Sequence, residues 1–145
     1  MENIQKNLKS IIAKINHVHE SSFFSKHKTP KLVAVSKKQE DYKVDKALAC
    51  GHKIFGENRV QEATNRWKNR QEIYKDLELR LVGPLQTNKV KQSLDLFDVV
   101  ETIDREKIAK EIAKNFDNKT KTKRFYIQVN TGNEAQKSGI DPLDA

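Results

Sequence analysis

The sequence predicts a parallel α/β fold of the (β/α)-barrel type. Short apolar runs recur along the chain, a stretch of helical periodicity follows each of the first four, and a further helix precedes the first run. The runs begin near residues 32, 53, 79, 97 and 125. That is a spacing of about 18 to 28 residues, the length of one strand plus one crossover helix.

The opening helix is read over residues 4–18, where Ile4, Leu8, Ile11, Ile12, Ile15 and Val18 recur as one apolar stripe. A polar stretch over residues 20–30 ends it. Residues 31–35 then read as a buried strand, because their apolar members run together rather than alternate. A helix over residues 41–50 turns Val44, Ala47 and Leu48 inward, with Gly51 as its C-terminal cap. Residues 53–55 form a brief strand before a helix over residues 60–70, and residues 79–82 form another before a helix near 88–94. The fourth strand is placed at residues 96–100. Asp104 then opens a helix with Ile108, Ile112 and Phe116 on one face and Ala109 and Ala113 packed beside them. Residues 125–129 make the fifth strand.

Alternation of this kind builds either a doubly wound sheet or a barrel. A helix ahead of the first strand, and short strands each ending in a polar loop, favour the barrel. A full eight-stranded barrel takes about 250 residues. A chain of 145 residues therefore predicts a single domain over residues 1–145, a TIM-type barrel truncated after about five strands.

Composition narrows the function classes. No run approaches the roughly 18 apolar residues of a membrane span, and the start lacks a secretory leader's layout, so a soluble cytoplasmic protein is expected. The single cysteine, Cys50, cannot form an internal disulfide and is read as packed rather than reactive. A net charge of +8 raises nucleic-acid binding as one alternative. Against it, the cations are 22 lysines and six arginines interleaved with 20 acids, gathered only at residues 119–124. His17 and His19 point to different sides of a helix and His27 and His52 stand alone, so no metal site is predicted.

In parallel α/β folds chemistry gathers at the carboxyl ends of the strands. Those ends are Ser36-Lys37-Lys38, Gly56-Glu57-Asn58, Gly83-Pro84-Leu85-Gln86, Glu101-Thr102-Ile103-Asp104 and Asn130-Thr131-Gly132. Lys37 leads this set: behind a buried strand, partial desolvation favours the neutral, nucleophilic amine that a Schiff base requires. Among 22 lysines it is singled out by position, not residue type. Gly56 and Gly83 read as ordinary turn residues.

Four blocks in order, Leu32-Val33-Ala34-Val35-Ser36-Lys37, Phe55-Gly56-Glu57-Asn58 with Val60-Gln61-Glu62, Gly83-Pro84-Leu85-Gln86 with Asn88-Lys89-Val90, and Gln128-Val129-Asn130 through Glu134 to Lys137-Ser138-Gly139-Ile140, resemble the pyridoxal phosphate homeostasis protein family over nearly the whole chain. The resemblance implies a barrel like that of alanine racemase, used as a single domain that binds pyridoxal 5'-phosphate without catalytic turnover. It implies Lys37 as the internal-aldimine lysine, Asn58 as a residue near the cofactor ring and Lys137 as a secondary aldehyde acceptor. The chain departs from the family pattern at Arg59, where an aromatic is common, at Leu79-Arg80, where Trp-His is common, and at Gln39-Glu40, where Lys-Pro is frequent. The family's later strands, whose loops hold the cofactor phosphate, have no counterpart here. Family members are monomers, and an open edge after the fifth strand would invite self-association. The enzyme alternative is a racemase or decarboxylase of the same barrel type.

Overall fold

The computed structural model describes residues 3–145. Helix α1 (Ile4–Glu20) precedes strand β1 (Ala34–Val35), followed by α2 (Asp41–Ala49), β2 (Ile54–Glu57), α3 (Val60–Ile73), β3 (Glu78–Leu81), α4 (Val90–Leu96), β4 (Val99–Ile103), α5 (Glu106–Asn115) and β5 (Arg124–Ile127). Short 3₁₀ turns lie at Thr87–Lys89 and Pro142–Asp144. All five strands are parallel and their spatial order is β1-β2-β3-β4-β5. A doubly wound sheet reverses its strand order at a switch point; an order that never reverses is that of a barrel wall.

Alternation along each strand gives the wall two unlike faces. Phe55, Leu79, Leu81 and Val100 are fully buried and join Val44, Leu48, Ala63, Trp67, Val90, Leu94 and Ile108 of the helices in one core. The rings of Phe55 and Trp67 lie 4.7 Å apart, which fixes this as the helix-facing side. On the other side stand Val33, Val35 and Val82, each within 3.2–3.3 Å of where a Cβ on Gly56 would lie. Arg80 pairs in register with Gly56 and with Val99, and Val99 with Arg124, so these four share one level of the inner face.

Several elements differ from the sequence reading. The first strand shortens to Ala34–Val35 because only these two residues pair with β2. The fourth strand starts at Val99, not near residue 96. Leu94, Leu96 and Phe97 are all buried, and Phe97 N–H closes the end of α4 on the Ser93 carbonyl at 2.9 Å. A continuous apolar run thus spans the end of a helix and the start of a strand. Asp98 separates them, its carboxylate accepting Leu79 N–H at 2.8 Å. In α5 Ile108 and Ile112 are buried as expected, but Ala109 and Ala113 are exposed and Phe116 lies beyond the last turn. The apolar stripe of α1 has no buried residue; Ile4 and Leu8 touch the core, while Ile11, Ile12 and Val18 remain exposed. Cys50 caps α2 at the surface instead of packing inside. Gly51, at φ +86°, takes the left-handed conformation that ends α2.

Among the described residues β1 and β5 each pair on one side only. Beyond β5 the chain turns back so that Ile140 bridges Val129, Ile140 N–H donating to Gln128 O and Asn130 N–H to Ile140 O, each at 2.9 Å.

Candidate functional site

Lys37 follows the end of β1 and Asn58 follows the end of β2, and β1 and β2 pair as neighbours. The two predicted residues therefore stand just beyond the carboxyl ends of neighbouring strands. Lys37 sits in a turn, exposed, its side chain making no hydrogen bond or ion pair with any described residue. The expected desolvation is absent because the strand ahead of it is a two-residue edge strand with a neighbour on one side only. Asn58 is half-buried.

Behind the exposed amine the backbone is held from every side. Ser36, 4% exposed, donates its N–H to Gly56 O at 3.0 Å and its hydroxyl to Glu57 Oε1 at 2.7 Å. Its carbonyl accepts Gln39 N–H at 3.1 Å, closing a turn around Lys37 and Lys38, and also Arg66 Nη1 at 2.7 Å. Lys38 occupies the left-handed region at φ 58°, unfavourable for a residue with a Cβ by about 1–2 kcal/mol. Glu57 is 1% exposed and gathers the network: besides Ser36, Oε1 accepts Trp67 Nε1 at 2.9 Å and Arg66 Nη1 at 3.2 Å. Its Oε2 is buried with no partner among the described residues.

Sequence reasoning missed this network, although one signal was available. Glu57 lies two residues after Phe55 and hence on the buried face, where a carboxylate requires cationic or N–H partners.

The loop after β3 touches the loop after β2. A Cβ at Gly83 would lie 2.2 Å from the Asn58 carbonyl oxygen, so the glycine serves close backbone approach rather than a turn. Thr102 Oγ1 donates to Gly83 O at 2.7 Å and Arg105 Nη2 to Leu85 O at 3.0 Å, tying this loop to the end of β4. Beside it opens a cleft of about 520 Å³ lined by Asn58, Arg59, Val60, Gln61, Pro84, Gln86 and Lys89. Lys89 Nζ donates to Gln61 Oε1 at 3.2 Å, and Arg59 pairs with Glu62 at 3.3 Å. Lys37 is not part of the cleft lining. Farther along, Asn130 orders the last loop through Glu134, its Nδ2 donating to Glu134 O at 2.9 Å. Lys137 is exposed there and paired with Glu134.

At the level of Gly56 the inner face is charged. Arg80 Nε donates to Glu78 Oε1 at 2.6 Å and Arg80 Nη1 to Glu101 Oε1 at 2.8 Å, while Arg124 Nη2 lies 2.7 Å from Glu78 Oε2. Burial alone would raise the Glu78 carboxyl, but the hydrogen bonds from Arg124 and Arg80 outweigh it and hold the group below the ordinary carboxylate range. Arg80 is raised in turn: Glu101 and Glu78 overcome its own desolvation.

Residues 4–145 match the family model described as the alanine racemase N-terminal domain. The pyridoxal phosphate homeostasis protein of Vibrio cholerae serotype O1 is 37% identical over 144 residues, covering 98% of this chain and 61% of that protein. Among solved structures, PipY of Synechococcus elongatus PCC7942 without PLP aligns with a TM-score of 0.80 at 28% identity, covering 98% of this chain and 60% of that one. The same protein with PLP bound aligns with a TM-score of 0.77 at 27% identity and the same coverage. The chain spans about 60% of the length of these relatives.

Proposed function

Since the chain belongs to the alanine racemase N-terminal domain family, we propose that it is a cytoplasmic pyridoxal 5'-phosphate-binding protein of cofactor homeostasis. In this reading residues 1–145 form one barrel domain, Lys37 is the attachment residue and Asn58 lies beside the cofactor ring. The observation that carries the proposal is the contrast at Lys37: a side chain with no hydrogen bond or ion pair to any described residue, next to a Ser36 held by four hydrogen bonds, from its N–H to Gly56 O, from its hydroxyl to Glu57 Oε1, and to its carbonyl from Gln39 N–H and Arg66 Nη1.

The residues present fit the aldehyde end and the ring edge of the cofactor. When bound, pyridoxal phosphate supplies an electrophilic aldehyde with which an unprotonated amine condenses, forming a carbon–nitrogen double bond and releasing one water. Lys37 contributes that amine without first breaking an ion pair to any described residue. Asn58 offers both an amide donor and an acceptor at the neighbouring strand end. Gly56, without a side chain, leaves the level beneath them low, where Val33, Val35 and Val82 already fill the space.

The relatives are named as homeostasis proteins, which supports binding without turnover. A racemase or decarboxylase would need a second acid or base facing Lys37 across the ring.

An absorbance scan on adding pyridoxal phosphate tests the reading. A band near the edge of the visible that disappears in Lys37→Ala is the expected result. An unchanged band in the variant would mean that other lysines trap the aldehyde and would overturn it.

A further inference from the structure

The turn that presents Lys37 is closed from outside by one guanidinium. Arg66 Nη1 donates to Ser36 O and Arg66 Nη2 to Gln39 O, each at 2.7 Å. Those two carbonyls bracket Lys37 and Lys38. The guanidinium is itself held at both ends, by buried Glu57 at 3.2 Å and by Asp41, whose Oδ1 accepts Nε at 2.9 Å. It therefore joins three elements: the end of β1 and its turn, the end of β2, and the start of α2, all gripped from α3.

We infer that Arg66 is a positioning residue for Lys37: it fixes the direction in which the lysine leaves the sheet by clamping the carbonyls on either side of its turn. The inference rests on the proposed attachment at Lys37.

Three physical points support it. A planar fork with two parallel donors sets the distance between two carbonyls as well as their orientation, which an ammonium cannot do. The turn also needs an external restraint, because Lys38 is held at φ 58° without being glycine. Finally, the clamp spends no contact on the lysine amine, which keeps its freedom to reach an aldehyde. Attack geometry is then set by where Cα and Cβ point, and small displacements of a reacting group lower rates steeply.

Glu57 keeps the clamp in place. Its Oε1 is shared by Ser36, Arg66 and Trp67, so the residue before the lysine and the clamp behind it are referred to a single oxygen. Asp41 supplies the outer anchor and is largely exposed, 62% by side chain, so it can be altered with little effect on the core.

The other lysines of the chain provide the internal standard for a test. The chain is incubated with limiting pyridoxal 5'-phosphate, reduced with borohydride and digested, and the label at each lysine is measured by mass spectrometry. The unsubstituted chain is expected to favour Lys37. Arg66→Ala should lower the Lys37 share on the order of tenfold, Arg66→Lys should restore part of it, and Asp41→Asn should lower it about twofold to threefold. General loosening would change labelling across many lysines, not at Lys37 alone.

If Arg66→Ala folds and still labels Lys37 as selectively as the unsubstituted chain, the clamp is overturned while attachment stands. If Arg66→Ala does not fold, Asp41→Asn decides: a drop confined to Lys37 supports the clamp and no drop overturns it. Absence of any Lys37 preference in the unsubstituted chain overturns both the attachment reading and the clamp.

Discussion

On the helix side of the sheet Phe55, Leu79, Leu81 and Val100 meet Trp67, Leu94 and Ile108 in a dry layer, whereas on the other side Glu78, Arg80, Glu101 and Arg124 stand as alternating charges. Both faces come from the same strands; in Glu78-Leu79-Arg80-Leu81 they alternate residue by residue. Apolar burial is non-directional and holds the helices down wherever the shapes fit. Forked arginines between carboxylates are directional. They hold adjacent strands in one register, because a one-residue slip would send each charge to the apolar side. The outer face thus carries the stability and the inner face carries the alignment of the strand ends.

The largest effect that could break this division is on the outer face. Leu79→Ala removes a fully buried side chain from the centre of the core and should cost about 2–5 kcal/mol in urea unfolding. A loss below 1 kcal/mol would mean the helices do not rely on this layer. On the inner face, Arg80→Ala leaves Glu78 with Arg124 but strips Glu101 of its partner. It should cost about 1–2 kcal/mol, with the difference narrowing in 1 M salt, where the Debye length falls to about 3 Å. A loss as large as that of Leu79→Ala would reverse the assignment of the two faces.

The smallest effect is the acid response, which separates the faces by pH. His52 touches Phe55 edge to face at 5.2 Å on the outer side, and burial pushes its imidazole below the usual 6.5, against a smaller opposing effect of its hydrogen bond to Ile54 O. The unfolded chain binds that proton first, so stability declines as pH falls from 6.5 through the lower folded value. Glu78 is also depressed, so its contribution is complete above pH 4.5 and is lost as pH falls below that value. Each step should be less than about 1 kcal/mol. In a stability-versus-pH series, His52→Gln should erase the upper step alone and Arg80→Ala should shrink the lower one alone.

How much of this was legible in the sequence depended on whether the determinant was local. The elements could be read because apolar runs and helical stripes are local signals, and Gly51 marked the end of α2 for the same reason. The fourth strand was misplaced because Leu94, Leu96, Phe97, Val99 and Val100 are all apolar and only Asp98 marks the boundary. The alternation in Glu78-Leu79-Arg80-Leu81 announces a charged face, but which partners it meets depends on register across β4 and β5. The position of Lys37 was legible from the end of a strand, and its exposure was not, because exposure depends on what flanks an edge strand. The Ser36–Glu57–Arg66–Trp67 network draws on residues from β1's end, β2 and α3, and nothing local brings them together.

The unbroken strand order has a consequence for how the molecule is made. Every strand pairs with the one synthesised directly before it, so each new strand can dock as soon as its connecting helix has emerged. Loop-closure entropy grows only slowly with length, so each added crossover carries a similar, modest cost. On this order the charged inner face is expected to help set alignment, since Arg80 pairs with Glu78 of its own strand and reaches Glu101 only when β4 is in register.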